Sequence, residues 1–476
     1  MDRSIRLRRS GLLMAAMVSV CAYPVLFLYF RNINEVVFTQ VFAPMLVFAA
    51  IAMVAWLAFG MLSGTIAKGA FTALLFILVF MNYSLIEEVI RRLVPEWRWW
   101  RIAPTFLFLF ISLAFALRVF VNRREGDDSL FRITVGLGAA YLVLTFFNAA
   151  GGMSVLARAR IAEARTATDY SPEGQGYPAI LSTPARPNFY YFIFDEYARQ
   201  DVLKKYTGLD NSPFLQRLES KGFKVSYSSY SNSVSTPVSV GNLLNFDHIF
   251  PSPLETRRGL PRPPLIEVFK KAGYKTFVGS QFYRFDADLV DVSLASKEFP
   301  VSLSIGRVAM ARSLIIYGVY LRRNENRARR EDSLSLLQRT RDISKELTQK
   351  PKFLFLHILL PHEPFIFDGN GDPVAEGDMH NWADPRHYAG QVIFLSKLID
   401  ELTTTIVTQD PQAVVLLQSD HGARSFAHIK FEEKRACLNC AYLGGNDVQI
   451  EGLSPVNTLR LALNYALGLQ LDIRKE

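Results

Sequence analysis

The chain has 476 residues but only three cysteines, seven histidines and five tryptophans. Cys21 falls inside an apolar stretch and reads as inert. Cys437 and Cys440 form a C-x-x-C. A structural zinc site there needs two further ligands nearby, and none is evident. A thioredoxin-type redox motif lacks its expected context. A short-loop disulfide is therefore the default reading of the pair outside a membrane. Also missing is a basic stripe with interleaved aromatic residues, which makes a nucleic-acid role the weaker reading of the net charge of +9. The basic residues are scattered or flank apolar spans. Arg3, Arg6, Arg8 and Arg9 precede the first span, and Arg91, Arg92, Arg98 and Arg101 lie between two later ones. Such positions suit anchors at lipid headgroups.

What is abundant is apolar sequence, and it is unevenly placed. Residues 1–150 are dominated by Leu, Phe, Ala and Val, whereas residues from 155 onward have a globular composition. The length exceeds one ordinary core, so at least two domains are expected. A membrane-crossing helix needs about 20 apolar residues. Five stretches qualify: roughly 11–30, 37–59, 70–90, 103–121 and 131–151. The first has the basic start and apolar run of a signal peptide, but the four that follow favour an anchor bundle. Trp97, Trp99 and Trp100 with Arg98 and Arg101 form an interfacial segment between spans three and four. Glu87 and Glu88 read as an interfacial pair at a helix end. Placing the N-terminus in the cytoplasm keeps Arg3, Arg6, Arg8, Arg9, Lys68, Arg123 and Arg124 inside. Residue 152 onward then lies outside. The segment 91–101 also falls outside, against the positive-inside bias. The expected organisation is an anchor over 1–151, a linker over 152–187 and an extracytoplasmic catalytic domain over 188–476.

The linker ends in a Pro-containing stretch, Ser182-Thr-Pro-Ala-Arg-Pro187, followed by Asn188-Phe-Tyr-Tyr-Phe-Ile-Phe194. So continuous an apolar run reads as a buried central strand of a parallel sheet. Short runs of the same kind recur at residues 276–279, 353–356 and 413–418. Helical patterns at 212–221, 265–272, 333–348 and 388–407 alternate with them. The alternation predicts an α/β domain with a mostly parallel sheet. Chemistry in such domains sits at the carboxyl ends of the strands. There the first run meets Asp195 and Glu196, the third meets His357 and then His362, and the fourth meets Ser419, Asp420 and His421. Strand-end carboxylates and imidazoles are oxygen and nitrogen ligands suited to Zn²⁺ or Mn²⁺. One such Asp is usually a helix cap; three strands ending this way point to a metal site.

At these residues the chain resembles the alkaline phosphatase superfamily in its sulfatase-like branch, and within it the membrane-bound phosphoethanolamine transferases and lipoteichoic acid synthases. The matching segments follow in family order: Pro187 to Glu196, Ser235-Thr-Pro-Val-Ser-Val-Gly-Asn-Leu-Leu244, Leu356-His-Ile-Leu-Leu-Pro-His-Glu-Pro-Phe365 and Ser419-Asp-His-Gly422. The resemblance implies an α-helical transmembrane bundle followed by an alkaline phosphatase/sulfatase-like α/β domain. It implies one divalent metal, zinc or manganese, held by Asp195, Asp420 and His421, with Thr236 as fourth ligand and nucleophile. Metal coordination favours the ionised hydroxyl and so activates it. His362 and His428 fit the histidines that contact phosphoryl oxygens or protonate the leaving group. No cysteine lies near Thr236, and the C/S-x-P-x-R pattern of formylglycine sulfatases is missing. The family's transferases carry Glu at the Asp195 position, so Glu196 remains an alternative ligand, although strand alternation points the two apart.

The implied reaction moves a phosphoethanolamine- or phosphoglycerol-type head group from a membrane phospholipid to a surface glycan or glycolipid, through a phosphothreonine. A sulfatase-like hydrolase of phosphate or sulfate esters is the alternative. The expected setting is a bacterial cytoplasmic membrane, with the protein a multi-pass monomer. Other residues have plainer readings. His357 is either a buried structural histidine or part of the site. Arg284 is placed to meet an anionic substrate, since guanidinium suits phosphate. His380 and His387 lie in a polar loop and either face solvent, the plainer reading, or line the acceptor site, and His248 is structural. The arginine-rich run 322–330 is a solvated helix face or a contact for anionic lipid. Ser454 to Arg460 opens a helix that packs on the sheet.

Overall fold

The computed structural model describes residues 3–31, 38–81, 127–166, 186–248, 262–294, 315–375 and 378–474. The chain divides into two compact units, residues 1–164 with 303–324 and residues 165–302 with 325–476.

The first unit contains helices Arg3–Arg31, Phe42–Ser63, Ile66–Met81 and Asp127–Thr166. Among the described residues three stretches are long and apolar enough to cross a membrane: Leu7–Phe30, Phe42–Ser63 and Asp128–Ser154. They match the first, second and fifth expected spans. Helix Ile66–Met81, with 16 residues, covers part of the third. The rest of the third span lies outside the described residues, as do the whole fourth, Glu87, Glu88 and the tryptophan cluster. Leu13, Met17 and Val20 are buried, as are Phe48, Ala52 and Trp56 and then Ala70, Leu74 and Ile77. Leu46, Val54, Met61 and Phe146 are exposed apolar side chains, the composition a lipid-facing surface requires. The helices meet at small residues. A Cβ on Gly69 would lie 2.5 Å from the Gly60 Cα, and one on Gly138 2.4 Å from the Ala16 Cα. Close backbone approach of this kind replaces the hydrophobic drive that lipid removes. The helix from Asp127 runs on to Thr166, so the expected linker begins as helix. Residues 153–166 contain no Gly or Pro and are rich in Ala, Arg and other good helix formers.

The second unit is built on one sheet of seven strands: β1 (Phe189–Phe194), β2 (Lys224–Val225), β3 (Lys275–Ser280), β4 (Val292–Ser293), β5 (Lys352–Ile358), β6 (Val414–Ser419) and β7 (Asn439–Leu443). Their order is β2-β7-β6-β1-β5-β3-β4. β1 is central, parallel to β5 on one side and to β6 on the other. β3 extends the parallel set, while β7 runs antiparallel to β6 and β2 pairs antiparallel with β7. Every residue of β1 is buried. Its alternate side chains feed two cores. Tyr190, Phe192 and Phe194 pack with residues of helices Gln200–Thr207, Ser212–Ser220 and Pro385–Gln409. Phe189, Tyr191 and Ile193 pack with Leu243, Phe269, Leu459 and Leu463 on the other face. This is the α/β domain with a mostly parallel sheet that a two-sided apolar run requires. Because β1, β5 and β6 run the same way, their polar ends come out at one edge.

Three features depart from the sequence expectations. Helix Ile315–Lys345 begins well before residue 333 and takes in the arginine-rich run. That run lacks Pro and Gly, and Arg327 reaches Glu331 across one helical turn at 3.7 Å. The short antiparallel strand β7, buried throughout, lies beyond the expected runs and pairs with β6. Cys437 and Cys440 are both free and buried, which corrects the disulfide reading. Cys437 lies in an isolated bridge to Ala198 and Cys440 in β7. Residues three apart in extended chain are roughly 10 Å apart and point to opposite faces, beyond the reach of a disulfide.

Burial pushes the Cys437 thiol up to about 12, so it stays protonated and unreactive. Both thiols are expected to resist iodoacetamide in the folded protein and to react fully on denaturation without reductant. A requirement for reductant would show a disulfide instead.

Candidate active site

The site begins where β1 and β6 end. Ser419, the last residue of β6, ties the two strands. Its Oγ lies 2.7 Å from the Phe194 carbonyl and 2.6 Å from that of His421, and it accepts the Tyr197 N–H at 2.8 Å. Asp195 follows β1 directly, its N–H bonded to the Ile358 carbonyl at the end of β5. Asp420 and His421 follow β6. All three side chains are buried, and their ligand atoms lie within 4.8 Å of one another.

Thr236 enters from a different segment. It opens helix Thr236–Leu244, after Ser235 in an extended conformation and with Pro237 in the first turn, where its missing N–H costs nothing. Thr236 Oγ1 lies 3.2 Å from His421 Nε2 and 3.4 Å from Asp195 Oδ1. A hydroxyl at a helix N-terminus sits at the positive end of the helix dipole, which favours negative charge on its oxygen.

The remaining contacts aim these groups inward. His421 Nδ1 donates to the Gly422 carbonyl at 2.9 Å, which leaves the Nε2 lone pair facing Thr236 and the carboxylates. Asp420 Oδ1 accepts the N–H groups of Glu196 at 3.0 Å and His421 at 2.8 Å. Its Oδ2 has no hydrogen-bond partner although buried. Burial, and then the charge of Asp420, raise Asp195 well above the usual carboxylate range. Burial also acts to raise Asp420, but His421, the Glu196 N–H and His357 bring it below its ordinary value. Burial pushes His421 down to about 4, against the pull of Asp420. The result is a neutral imidazole, two crowded buried carboxyl groups and one orphaned oxygen. Isolated buried charge of this kind demands a cation. The donor set of two carboxylates, one imidazole and one hydroxyl fits a divalent ion such as zinc or manganese.

Glu196 is not part of this group. It is buried with φ 66°, a left-handed conformation uncommon outside glycine. Its Oε1 accepts the Arg424 N–H at 2.8 Å, and its Oε2 lies 3.5 Å from His362 Nε2. Burial pushes it up to about 7, against the attraction of His362 and Arg424. His362 also receives an Arg424 guanidinium N–H at Nε2, 3.0 Å away. Its loop is held by Gln391, which donates to the Pro361 and His362 carbonyls at 3.0 and 3.1 Å.

His357 lies in β5, fully buried, its Nδ1 3.3 Å from Ser280 Oγ and its Nε2 without a partner. Burial pushes it down to about 4. His428 is exposed, with φ 61°. Arg284 is exposed and donates to the carbonyls of Ser280 and Tyr283 at 3.2 and 3.3 Å. His380 lies 3.5 Å from Glu363, and His387 lies 3.7 Å from Asp384 and 3.8 Å from Asp378. His248 is exposed.

Two contributors escaped the sequence reading. Gln391 sits mid-helix with no local motif. Arg424 had a visible signal, a permanent cation two residues after Asp-His-Gly. Gly422 is fixed by space: a Cβ there would lie 2.2 Å from the Ala436 carbonyl oxygen.

A family model described as Sulfatase matches residues 187–439. No curated protein matches the sequence. Among solved structures, the chain is similar to the C-terminal periplasmic domain of EcEptC from Escherichia coli in complex with Zn. That likeness has 13% identity over 61% of this chain and 85% of the other, with TM-score 0.41. The C-terminal periplasmic domain of phosphoethanolamine transferase EptC from Campylobacter jejuni is 12% identical over 59% and 89%, with TM-score 0.40. The integral membrane protein lipooligosaccharide phosphoethanolamine transferase A from Neisseria meningitidis is 12% identical over 95% of both chains, with TM-score 0.39.

The buried carboxyl pair gives a pH-dependent prediction. Asp195 titrates above its ordinary value, so the folded chain keeps a proton that the unfolded chain has lost. Stability from this source falls as pH rises above about 4 towards the raised folded value. In chelator-treated protein, Asp195→Asn is expected to raise the thermal midpoint at pH 7.5 by roughly 3–6 °C, with a smaller gain at pH 5. The same substitution should abolish the stabilisation that added zinc gives the wild type. Equal midpoints at both pH values would refute the charge crowding. A separate test is Gly422→Ala, expected to cost about 1–3 kcal/mol by overpacking and to lower zinc occupancy by elemental analysis.

Proposed function

The chain belongs to the sulfatase family, and from that premise we propose that it is a metal-dependent phosphotransferase working at a membrane surface. It takes a phosphoryl-linked head group of the phosphoethanolamine or phosphoglycerol type from a membrane phospholipid and passes it to a surface glycan or glycolipid. The observation that carries this reading is Thr236. A threonine hydroxyl, 3.2 Å from His421 Nε2 and 3.4 Å from Asp195 Oδ1, stands where the family's sulfatases need a cysteine or serine converted to formylglycine.

Asp195, Asp420, His421 and Thr236 would hold the ion. When bound, a divalent cation lowers the pKa of a hydroxyl and polarises a phosphoryl group. Thr236 Oγ gives up its proton to solvent and forms a bond to phosphorus as the bond to the diacylglycerol oxygen breaks; that oxygen takes up a proton, and the head group stays on Thr236 as a phosphodiester. An acceptor hydroxyl then attacks the same phosphorus, and Thr236 leaves as it arrived. The helix N-terminus at Thr236 offsets negative charge on its oxygen in both halves. His428, on its exposed loop, donates the proton to the departing diacylglycerol oxygen in this scheme. The apolar helices of the first unit suit a lipid donor, which must be met at the bilayer. With Arg3, Arg6, Arg8 and Arg9 inside, the catalytic domain works on the extracytoplasmic face of a bacterial cytoplasmic membrane.

Full-length protein in detergent is expected to release diacylglycerol from labelled phosphatidylethanolamine or phosphatidylglycerol, and chelator should stop it. Peptide mass analysis should find a phospho-adduct on Thr236. Thr236→Ala should lose the adduct and at least about 10³-fold in turnover. Release of sulfate from aryl sulfates, with no diacylglycerol, would establish the sulfatase-like hydrolase instead.

A further inference from the structure

Arg424 is a permanent cation that the scheme above leaves idle. Its backbone N–H is held by Glu196 Oε1 at 2.8 Å, and its Nε lies 3.7 Å from the same oxygen. One terminal nitrogen, Nη1, donates to the Val234 carbonyl at 2.9 Å, two residues before Thr236. The other, Nη2, donates to His362 Nε2 at 3.0 Å. These partners come from the segments after β1, before the Thr236 helix and after β5, while Arg424 itself follows β6. Four otherwise separate segments of the site thus meet at one guanidinium.

A guanidinium has five N–H groups in a plane. Val234 and His362 take one hydrogen from each terminal nitrogen, so each retains a second. The side chain is 33% exposed, whereas Glu196 beside it is 1% exposed. A planar cation tied at both ends therefore keeps one spare N–H on each terminal nitrogen and is partly open to solvent. The bond to His362 also limits that residue. Nε2 accepts from Arg424, so the imidazole proton sits on Nδ1, 2.5 Å from the Glu363 carbonyl. His362 has no proton at Nε2 to give. The left-handed turn at Glu196 completes the arrangement. It points this carboxylate at Arg424 while its neighbour Asp195 points at Thr236.

We propose that Arg424 is a substrate-binding residue of this site, taking the non-bridging oxygens of a phosphodiester on its two spare terminal N–H groups, with Glu196 and His362 as the residues that position it. The inference rests on the phosphodiester reading of the site and names the anion's partner within it. It also assigns His362 a different role: it orients the arginine instead of protonating the leaving group. Lysine is no substitute, because an ammonium cannot bond to Val234, His362 and a forked oxyanion together.

The test uses zinc-loaded full-length protein in detergent, with inorganic phosphate binding measured by calorimetry and turnover measured on bis(p-nitrophenyl) phosphate. Arg424→Gln is expected to weaken phosphate binding about tenfold or more and to raise KM for the diester more than it lowers kcat, with zinc content unchanged. Arg424→Lys should recover only a small part of the affinity. Glu196→Gln, which keeps a hydrogen-bonding group but not the charge, should weaken phosphate binding less than Arg424→Gln does. Phosphate affinity within twofold of wild type in zinc-replete Arg424→Gln would overturn the proposal. Should Arg424→Gln fail to fold, Arg424→Lys decides alone, and full affinity in it overturns the forked contact. Failure of the phosphodiester reading looks different: the wild type would turn over only p-nitrophenyl sulfate. Titration with inorganic sulfate then replaces phosphate, and the same tenfold loss supports Arg424 as the anion's partner.

Discussion

Asp195 and Asp420 bring two buried carboxyl groups together, and the architecture around them is arranged to hold them in place. Asp420 commits one oxygen to two backbone N–H groups and leaves the other bare. His421 spends its Nδ1 proton on a carbonyl, so that it offers a lone pair. Thr236 arrives at the start of a helix, where the backbone favours negative charge on its oxygen. The two N–H groups stabilise the Asp420 carboxylate but leave the crowding with Asp195 unrelieved. Each of these choices is favourable once a divalent cation balances the carboxylates.

The fold supplies the convergence. A central strand flanked on both sides by parallel partners sends three chain ends out of the same edge. That is the crevice where open α/β sheets place their ligands. Ser419 then fixes the spacing between the ends of β1 and β6 to hydrogen-bond length, so the positions of Asp195 and Asp420 are set by backbone geometry. Gly422 admits the Ala436 carbonyl so closely that the turn after His421 has one available path.

Much of this was legible in the sequence because it rests on local pattern. The run from Phe189 to Phe194 is apolar at every position, which only a strand covered on both faces tolerates. The polar residues ending the runs stand at the sheet edge for the same reason. What stayed hidden depends on backbone turns and on long-range partners. The choice between Asp195 and Glu196 turns on a single left-handed φ, which no apolar pattern encodes. Arg424 looked like one more basic residue, because its partners lie 62, 190 and 228 positions away. Strand β7 borrows its hydrogen bonds from β6, and with it Cys440 was read into a disulfide that extended chain cannot close. The helix beyond residue 152 was obscured by the Pro-containing stretch further on, which drew the whole segment into a linker reading.

The ordering of the site residues along the chain has a consequence for folding. Thr236 meets Asp195 across 41 positions but waits for His421 across 185. Asp420 and His421 stand directly after β6, so the group is completed only once the chain has passed through β1, the Thr236 helix, β5 and β6. The set of ligand atoms is therefore incomplete until β6 has been added beside β1, and local structure around Thr236 alone cannot assemble it.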